Sequence, residues 1–275
     1  MMPGNLTESR QFFDSGGISL YGVMHRAVRS SPVVIFCNCL SESHAEWRAE
    51  VVGSRLLAAR GHTAFAYHPR AHGDSAGNAA DVTFEDLVSD AMAAAEFARA
   101  ASGADRIVWV GTRFGALVAA EAIRRRSDTA AFALWEPVIG AREYFRQLMR
   151  HVLYYETARG LRPSMTVERM EEHLKREGKI ALLMFDLYRV FSESAIDAAL
   201  EASLQNWHGP IFLAQFQRHS RLSRKYVELK SALERRGAQV EAVLFKDDAR
   251  TQAGIEPWYS PERIVHQMGE WLDRM

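Results

Sequence analysis

The stretch Ile107-Val108-Trp109-Val110-Gly111-Thr112-Arg113-Phe114-Gly115-Ala116-Leu117-Val118 decides the reading of the fold. Its first four residues are continuously apolar and rich in β-branched and aromatic side chains, the pattern of a strand buried on both faces. From Ala116 to Arg126 the apolar residues read as a helix, and no loop-length segment separates the two. Gly111 and Gly115 flank the turn between them, so the helix can pack close to the strand while the central residue projects above the C-terminal edge of a sheet. That is the context a nucleophile elbow requires, and its central residue here is Arg113.

Outward from this segment the same alternation continues. Toward the N-terminus, Gln11–Asp14 and Ile18–His25 flank Ser15-Gly16-Gly17 as an antiparallel hairpin. Pro32–Cys37 reads as a strand, Glu46–Arg60 as a helix stopped by Gly61, and Thr63–Tyr67 as the next strand. Thr83 with Asp86 forms a capping-box pattern that opens an alanine-rich helix ending near Gly103. Ala131–Trp135, Ile211–Ala214, Ser223–Arg236, Val240–Phe245 and Pro261–Leu272 carry the alternation to the end of the chain. Continuous apolar strands separated by helices predict an α/β fold with a mostly parallel central sheet covered on both faces. Between Gly140 and Asn206 only helical patterns are read, for example Tyr144, Leu148, Val152 and Tyr155, or Leu182, Phe185, Leu187, Val190 and Phe191. The expected organisation is a core domain of residues 1–140 and 207–275 with a helical lid over residues 141–206.

Composition excludes several function classes. The 275 residues hold 34 Lys+Arg and 34 Asp+Glu, a formal charge of +0, so no field attracts nucleic acid or an anionic membrane. With 48% hydrophobic and 25% charged residues the chain is an ordinary globular one and not a disordered one. Pro32–Leu40, the longest apolar run, is interrupted by Asn38 and falls far short of the about 20 residues of a membrane span. The first residues lack the features of a secretory signal, so a cytoplasmic location is expected. Cys37 and Cys39 are too few for a disulfide framework or a structural zinc site and read as buried thiols; no motif asks for a metal or cofactor.

The strand-turn-helix, the antiparallel start and the insertion after the sixth strand together resemble the α/β-hydrolase superfamily over nearly the whole chain. His72-Gly73-Asp74-Ser75-Ala76-Gly77 is similar to that family's turn after the fourth strand. Leu134–Arg142 and the loop Ser41-Glu42-Ser43-His44 are similar to segments of the exosortase-associated hydrolase subgroup. Gly73–Gly77 also matches G-x-S-x-G, but Ser75 lies some distance from both the preceding strand and the next helix, so its hydroxyl is expected to stabilise the loop.

Against the resemblance stand three departures. Arg113 occupies the nucleophile's place, and a guanidinium, always protonated and without an acceptor, is neither nucleophile nor general base. Lys246-Asp247-Asp248-Ala249-Arg250-Thr251 follows the last strand where the family has its histidine, and Ala214-Gln215-Phe216-Gln217 stands where many members have the acid. Glu136, after the sixth strand, matches an alternative acid position. A cation at a helix N-terminus opposes the macrodipole by about 0.3–1 kcal/mol, so an anion is expected beside Arg113. It is either an internal carboxylate, from Glu136, Asp247 or Asp248, or a ligand held by Arg113, the backbone N–H of Phe114 and the Asn38-Cys39-Leu40 turn, where the family builds its oxyanion hole. His44 and the two aspartates are further acid–base candidates, Cys39 a further nucleophile candidate, and Arg142, Tyr144 and Arg146 candidate pocket residues.

The expectation is therefore a non-hydrolytic enzyme, catalysing an elimination or an intramolecular displacement on a small anionic molecule bound by Arg113, with Glu136, Asp247 or Asp248 as base. A catalytically inactive subunit that partners a second, related chain is the alternative, and a residual esterase or thioesterase using Ser75 or Cys39 is the third reading.

Overall fold

The computed structural model describes residues 7–37, 44–183, 185–217, 220–246 and 261–275. The hairpin β1 (Thr7–Ser15) and β2 (Ile18–Arg26) leads into β3 (Arg29–Cys37), α1 (His44–Ala59), β4 (His62–Tyr67), α2 (Phe84–Ser102), β5 (Ile107–Thr112), α3 (Gly115–Arg124) and β6 (Thr129–Trp135). Then come α4 (Ala141–Ala158), α5 (Val167–Glu177), the short strands β7 (Lys179–Ala181) and β8 (Asp186–Tyr188), α6 (Arg189–Ala195) and α7 (Leu200–Ser203). β9 (Pro210–Gln217), α8 (Arg224–Arg235), β10 (Gln239–Lys246) and α9 (Pro261–Asp273) complete the chain. Eight strands form one sheet in the order β1-β2-β4-β3-β5-β6-β9-β10, with β1, β2 and β4 joined antiparallel and all neighbours from β4 to β10 parallel.

Period-2 alternation divides the strand side chains between two apolar layers. Ile35, Trp109, Phe132, Leu134 and Leu213 face Leu87, Ala91, Leu117 and Leu229 of α2, α3 and α8. Val34, Phe36, Val110, Ala133 and Phe212 face Leu57 of α1 and Ile264, Met268 and Trp271 of α9. Both layers are buried, which is why these strands read as continuous apolar runs. Thr83 and Asp86 form the expected capping box, and Gly103 closes α2 in the left-handed conformation (φ 73°).

The segment between β6 and β9 departs from the all-helical expectation. Leu187, placed on a helical stripe in the sequence, sits in an antiparallel hairpin in which β7 pairs with β8 and Ile180 faces Leu187. Three-residue strands carry too little alternation to be separated from a helical pattern. No helix among the described residues is long and apolar enough to cross a membrane.

Candidate functional site

The elbow can form because Gly111 removes a steric obstacle. A Cβ on Gly111 would come within 2.5 Å of the Ala116 Cα, so a side chain there would push α3 off β5. The chain then turns through Arg113, whose φ of 50° is left-handed and strained for a residue with a Cβ. Hydrogen bonds hold the turn: the Arg113 N–H donates to Trp135 O (3.0 Å), and its carbonyl accepts from Ala116 (3.2 Å) and Val138 (3.1 Å). Phe114 is the N-cap of α3, and its own N–H makes no backbone hydrogen bond among the described residues.

A second strained residue lies beside it. Glu136, just past β6, has φ 46° and donates its N–H to Ala214 O at 2.9 Å. The residue is 8% exposed. Oε1 accepts from the Phe216 N–H, and Oε2 lies 3.5 Å from the Tyr226 hydroxyl, which donates to Pro137 O at 3.0 Å. Arg113 Nη1 is 3.9 Å from Glu136 Oε2 and 3.5 Å from the Glu136 carbonyl. Burial pushes the Glu136 carboxyl above the ordinary carboxylate range, and the neighbouring Arg113 cation opposes that shift without reversing it. Burial and the Glu136 charge likewise push the Tyr226 phenol well above its usual range, so it stays a donor.

Above the elbow the fully buried Phe114 ring meets Phe84 (6.2 Å), Tyr144 (5.7 Å), Phe145 (5.8 Å) and Phe191 (5.4 Å). The Arg113 guanidinium lies 5.8 Å from the Tyr144 ring centroid. The Tyr144 hydroxyl is buried without a hydrogen-bond partner among the described residues.

Of the residues singled out in the sequence, the structure brings Arg113, Phe114, Glu136 and Tyr144 together. Arg142 pairs with Asp197 at 2.8 Å on an exposed surface, and Arg146 pairs with Glu171 and Glu168, both at 2.9 Å. His44 opens α1, but its side chain, together with Asn38, Cys39, Leu40, Asp247 and Asp248, lies outside the described residues. Cys37 is buried, its Sγ 3.4 Å from the Tyr67 hydroxyl. Tyr226 is the residue that sequence reading missed. It stands 90 positions from Glu136, and only its place on the buried face of α8 pointed inward. Among the described residues no group of three His, Cys, Asp or Glu could hold a metal ion.

Ser75 is held within its loop. Its Oγ accepts from the Tyr21 N–H (2.8 Å) and donates to His68 O (2.6 Å), joining β2 to the end of β4. Ser75→Ala should lower the stability measured by urea unfolding by about 1–2 kcal/mol, the cost of two lost hydrogen bonds in a half-buried turn.

A family model described as serine aminopeptidase, S33, matches residues 30–180. The chain belongs to this family of α/β-hydrolase-fold proteins. No curated protein matches it. Among solved structures, Est1E from Butyrivibrio proteoclasticus with bound ferulic acid superposes with a TM-score of 0.70 at 16% identity, covering 96% of this chain and 98% of that one. The Pyrococcus furiosus esterase Pf2001 gives 0.66 at 18% identity, covering 98% and 91%. DcsB, in complex with a substrate analogue, gives 0.62 at 14% identity, covering 98% and 99%. At these identities the superpositions establish the fold alone.

Proposed function

We propose that this α/β-hydrolase-fold protein acts without a serine nucleophile and recognises the anionic end of a small molecule at the elbow through Arg113. The observation that carries the reading is the meeting of two left-handed non-glycine residues, Arg113 and Glu136, with side chains 3.9 Å apart. Strain of this kind costs of order 1–3 kcal/mol per residue and is kept where a side chain must be aimed. Arg113 stands where the family aims its nucleophile, and its charge suits it to hold a carboxylate, sulfate or phosphate.

The chemistry that fits is an elimination or an intramolecular displacement. Glu136, with its pKa raised by burial, is a stronger base than an ordinary carboxylate when ionised. It would take a proton from the substrate while the leaving group departs with its electron pair toward Arg113 and the Phe114 N–H, with no covalent enzyme intermediate. The segment of residues 141–206 would act as the lid, its Tyr144 and Phe145 enclosing the substrate's apolar part. Asp247, Asp248 and His44 remain candidate acid–base groups, and the Asn38-Cys39-Leu40 turn a candidate for further anion donors.

A second reading is favoured by the same Arg113–Glu136 contact. If the pair serves only to close the elbow, the chain is a non-catalytic partner of a second α/β-hydrolase-like chain. Thermal unfolding with sulfate, phosphate and small carboxylates separates the two. At ten times its dissociation constant an anion that binds the elbow adds about 1.4 kcal/mol, a Tm rise of about 3–6 °C, and Arg113→Ala should abolish it. No rise in the wild type, with Arg113→Ala markedly less stable, would favour the partner reading.

A further inference from the structure

We propose that the cavity at the N-terminal edge of the parallel strands is a second ligand site, which takes a small aromatic carboxylate. This cavity, about 910 Å³, has the size of sites that enclose small molecules. Arg29 of β3, His62 of β4, Thr129 of β6, Pro210 of β9 and Gln239 of β10 line it where their strands begin, and none of the elbow residues does. The elbow stands at the opposite ends of the same strands, with the length of β5, about 20 Å, between them.

Three groups of the lining can donate hydrogen bonds that the protein does not use. Thr129 is 5% exposed, and its Oγ1 is buried with no hydrogen-bond partner among the described residues. The indole N–H of Trp207, a donor only, is buried and equally unpartnered. Gly209 lets the indole lie against the chain, since a Cβ there would meet Trp207 Cζ2 at 2.4 Å. Arg106, beside Thr129, spends one Nη2 donor on the Thr129 carbonyl at 2.9 Å and keeps the rest of its fork. Buried polar groups are nearly all paired in folded proteins, so two orphans on one cavity call for an acceptor supplied by a ligand.

Charge decides what that acceptor is. Asp273 is the one acidic side chain of the lining, and Arg29 at 2.7 Å, Arg60 at 3.1 Å and His62 at 3.0 Å share it, holding its carboxyl down to about 2. Arg274 is matched by Glu241 at 2.6 Å. Asp105, next to Arg106 in the chain, accepts from the Ser31 hydroxyl. Arg106 itself forms no ion pair among the described residues, so the unmet charge of the lining is a guanidinium that stands beside two unmet donors. A carboxylate matches all three. Trp207, Pro32, Pro210 and Leu272 supply an apolar wall for a flat aromatic body.

The probe is 2-naphthoate, titrated into the full chain at constant ionic strength and followed in proton–nitrogen correlation spectra. It should shift the indole N–H signal of Trp207 saturably, with a Kd of about 1 mM. That signal is one of six from tryptophan, identified by its loss in Trp207→Phe. Read at the same signal, 2-naphthylmethanol, which is neutral and of similar shape, should bind about tenfold more weakly, as should 2-naphthoate to Arg106→Gln. Arg106 is exposed, so this variant should keep the wild-type thermal transition. An unmoved Trp207 signal, which is what occupancy of the elbow alone would give, or equal affinity for the alcohol or for Arg106→Gln, would overturn the proposal.

Discussion

Glu136→Gln should tighten the binding of sulfate or a small carboxylate about 10–100-fold while abolishing turnover that depends on proton abstraction. At 3.9 Å from Arg113 Nη1, the Glu136 carboxylate is a counter-charge that any bound anion must share. At an effective dielectric constant of about 20, unit charges at such a distance interact by about 4 kcal/mol, and solvation and rearrangement of the side chains leave part of that to the ligand. Glutamine keeps an oxygen for the Phe216 N–H and removes the charge. The pH dependence gives the sign independently. Because burial raises the Glu136 pKa above its ordinary 4.5, the carboxyl's contribution to folding is fully present below that value. It is lost as pH rises through the raised one. Wild-type stability relative to Glu136→Gln should therefore fall as pH rises from about 4.5, and wild-type anion affinity should fall over the same range as the carboxylate ionises. Isothermal titration and urea unfolding at several pH values check both trends; a weaker-binding Glu136→Gln would contradict them.

The largest loss of stability is expected from Asp90→Ala, about 3–5 kcal/mol, or a Tm lowered by about 6–20 °C. Asp90 is fully buried on α2. Its Oδ1 accepts from Ser15 Oγ (2.7 Å) and Arg70 Nη2 (2.7 Å), and its Oδ2 from the Arg70 N–H (2.8 Å). Arg70 also reaches Asp86 at 2.6 Å, so the capping box of α2, the end of β1 and the loop after β4 meet in one network. Alanine would leave a mostly buried guanidinium with one of its two carboxylate partners gone, and the Ser15 hydroxyl and the Arg70 N–H without their acceptor. Differential scanning calorimetry reads the result, and Asp90→Asn, which keeps one acceptor oxygen, should lose less.

The fold was legible because its signals are local. Glycines around Arg113, a capping box at Thr83 and unbroken apolar strands each state their conformation within a few residues. The candidate site was legible in part. Arg113 and Glu136 stood out because each sits at the end of an identifiable strand. Tyr226 did not, since what makes it matter is a hydroxyl brought to Glu136 and Pro137 by the start of α8, which Gln215 of β9 and Ser223 fix by bonding reciprocally. The Asp90–Arg70 network was equally silent, because a buried aspartate in an alanine-rich helix reads as a surface charge until its partner's position is known. Arg142 and Arg146 showed the converse: a basic pair near an anion site in sequence turned out to be matched by Asp197, Glu168 and Glu171 of its own segment.

The most direct test of anion recognition at the elbow is an anomalous difference map from crystals of the wild-type protein soaked in selenate. A selenium peak is expected in contact with the Arg113 guanidinium and near the Phe114 N–H, absent from identically soaked Arg113→Ala crystals. No peak at the elbow, with Arg113 instead drawn into a two-pronged pair with Glu136, would contradict it.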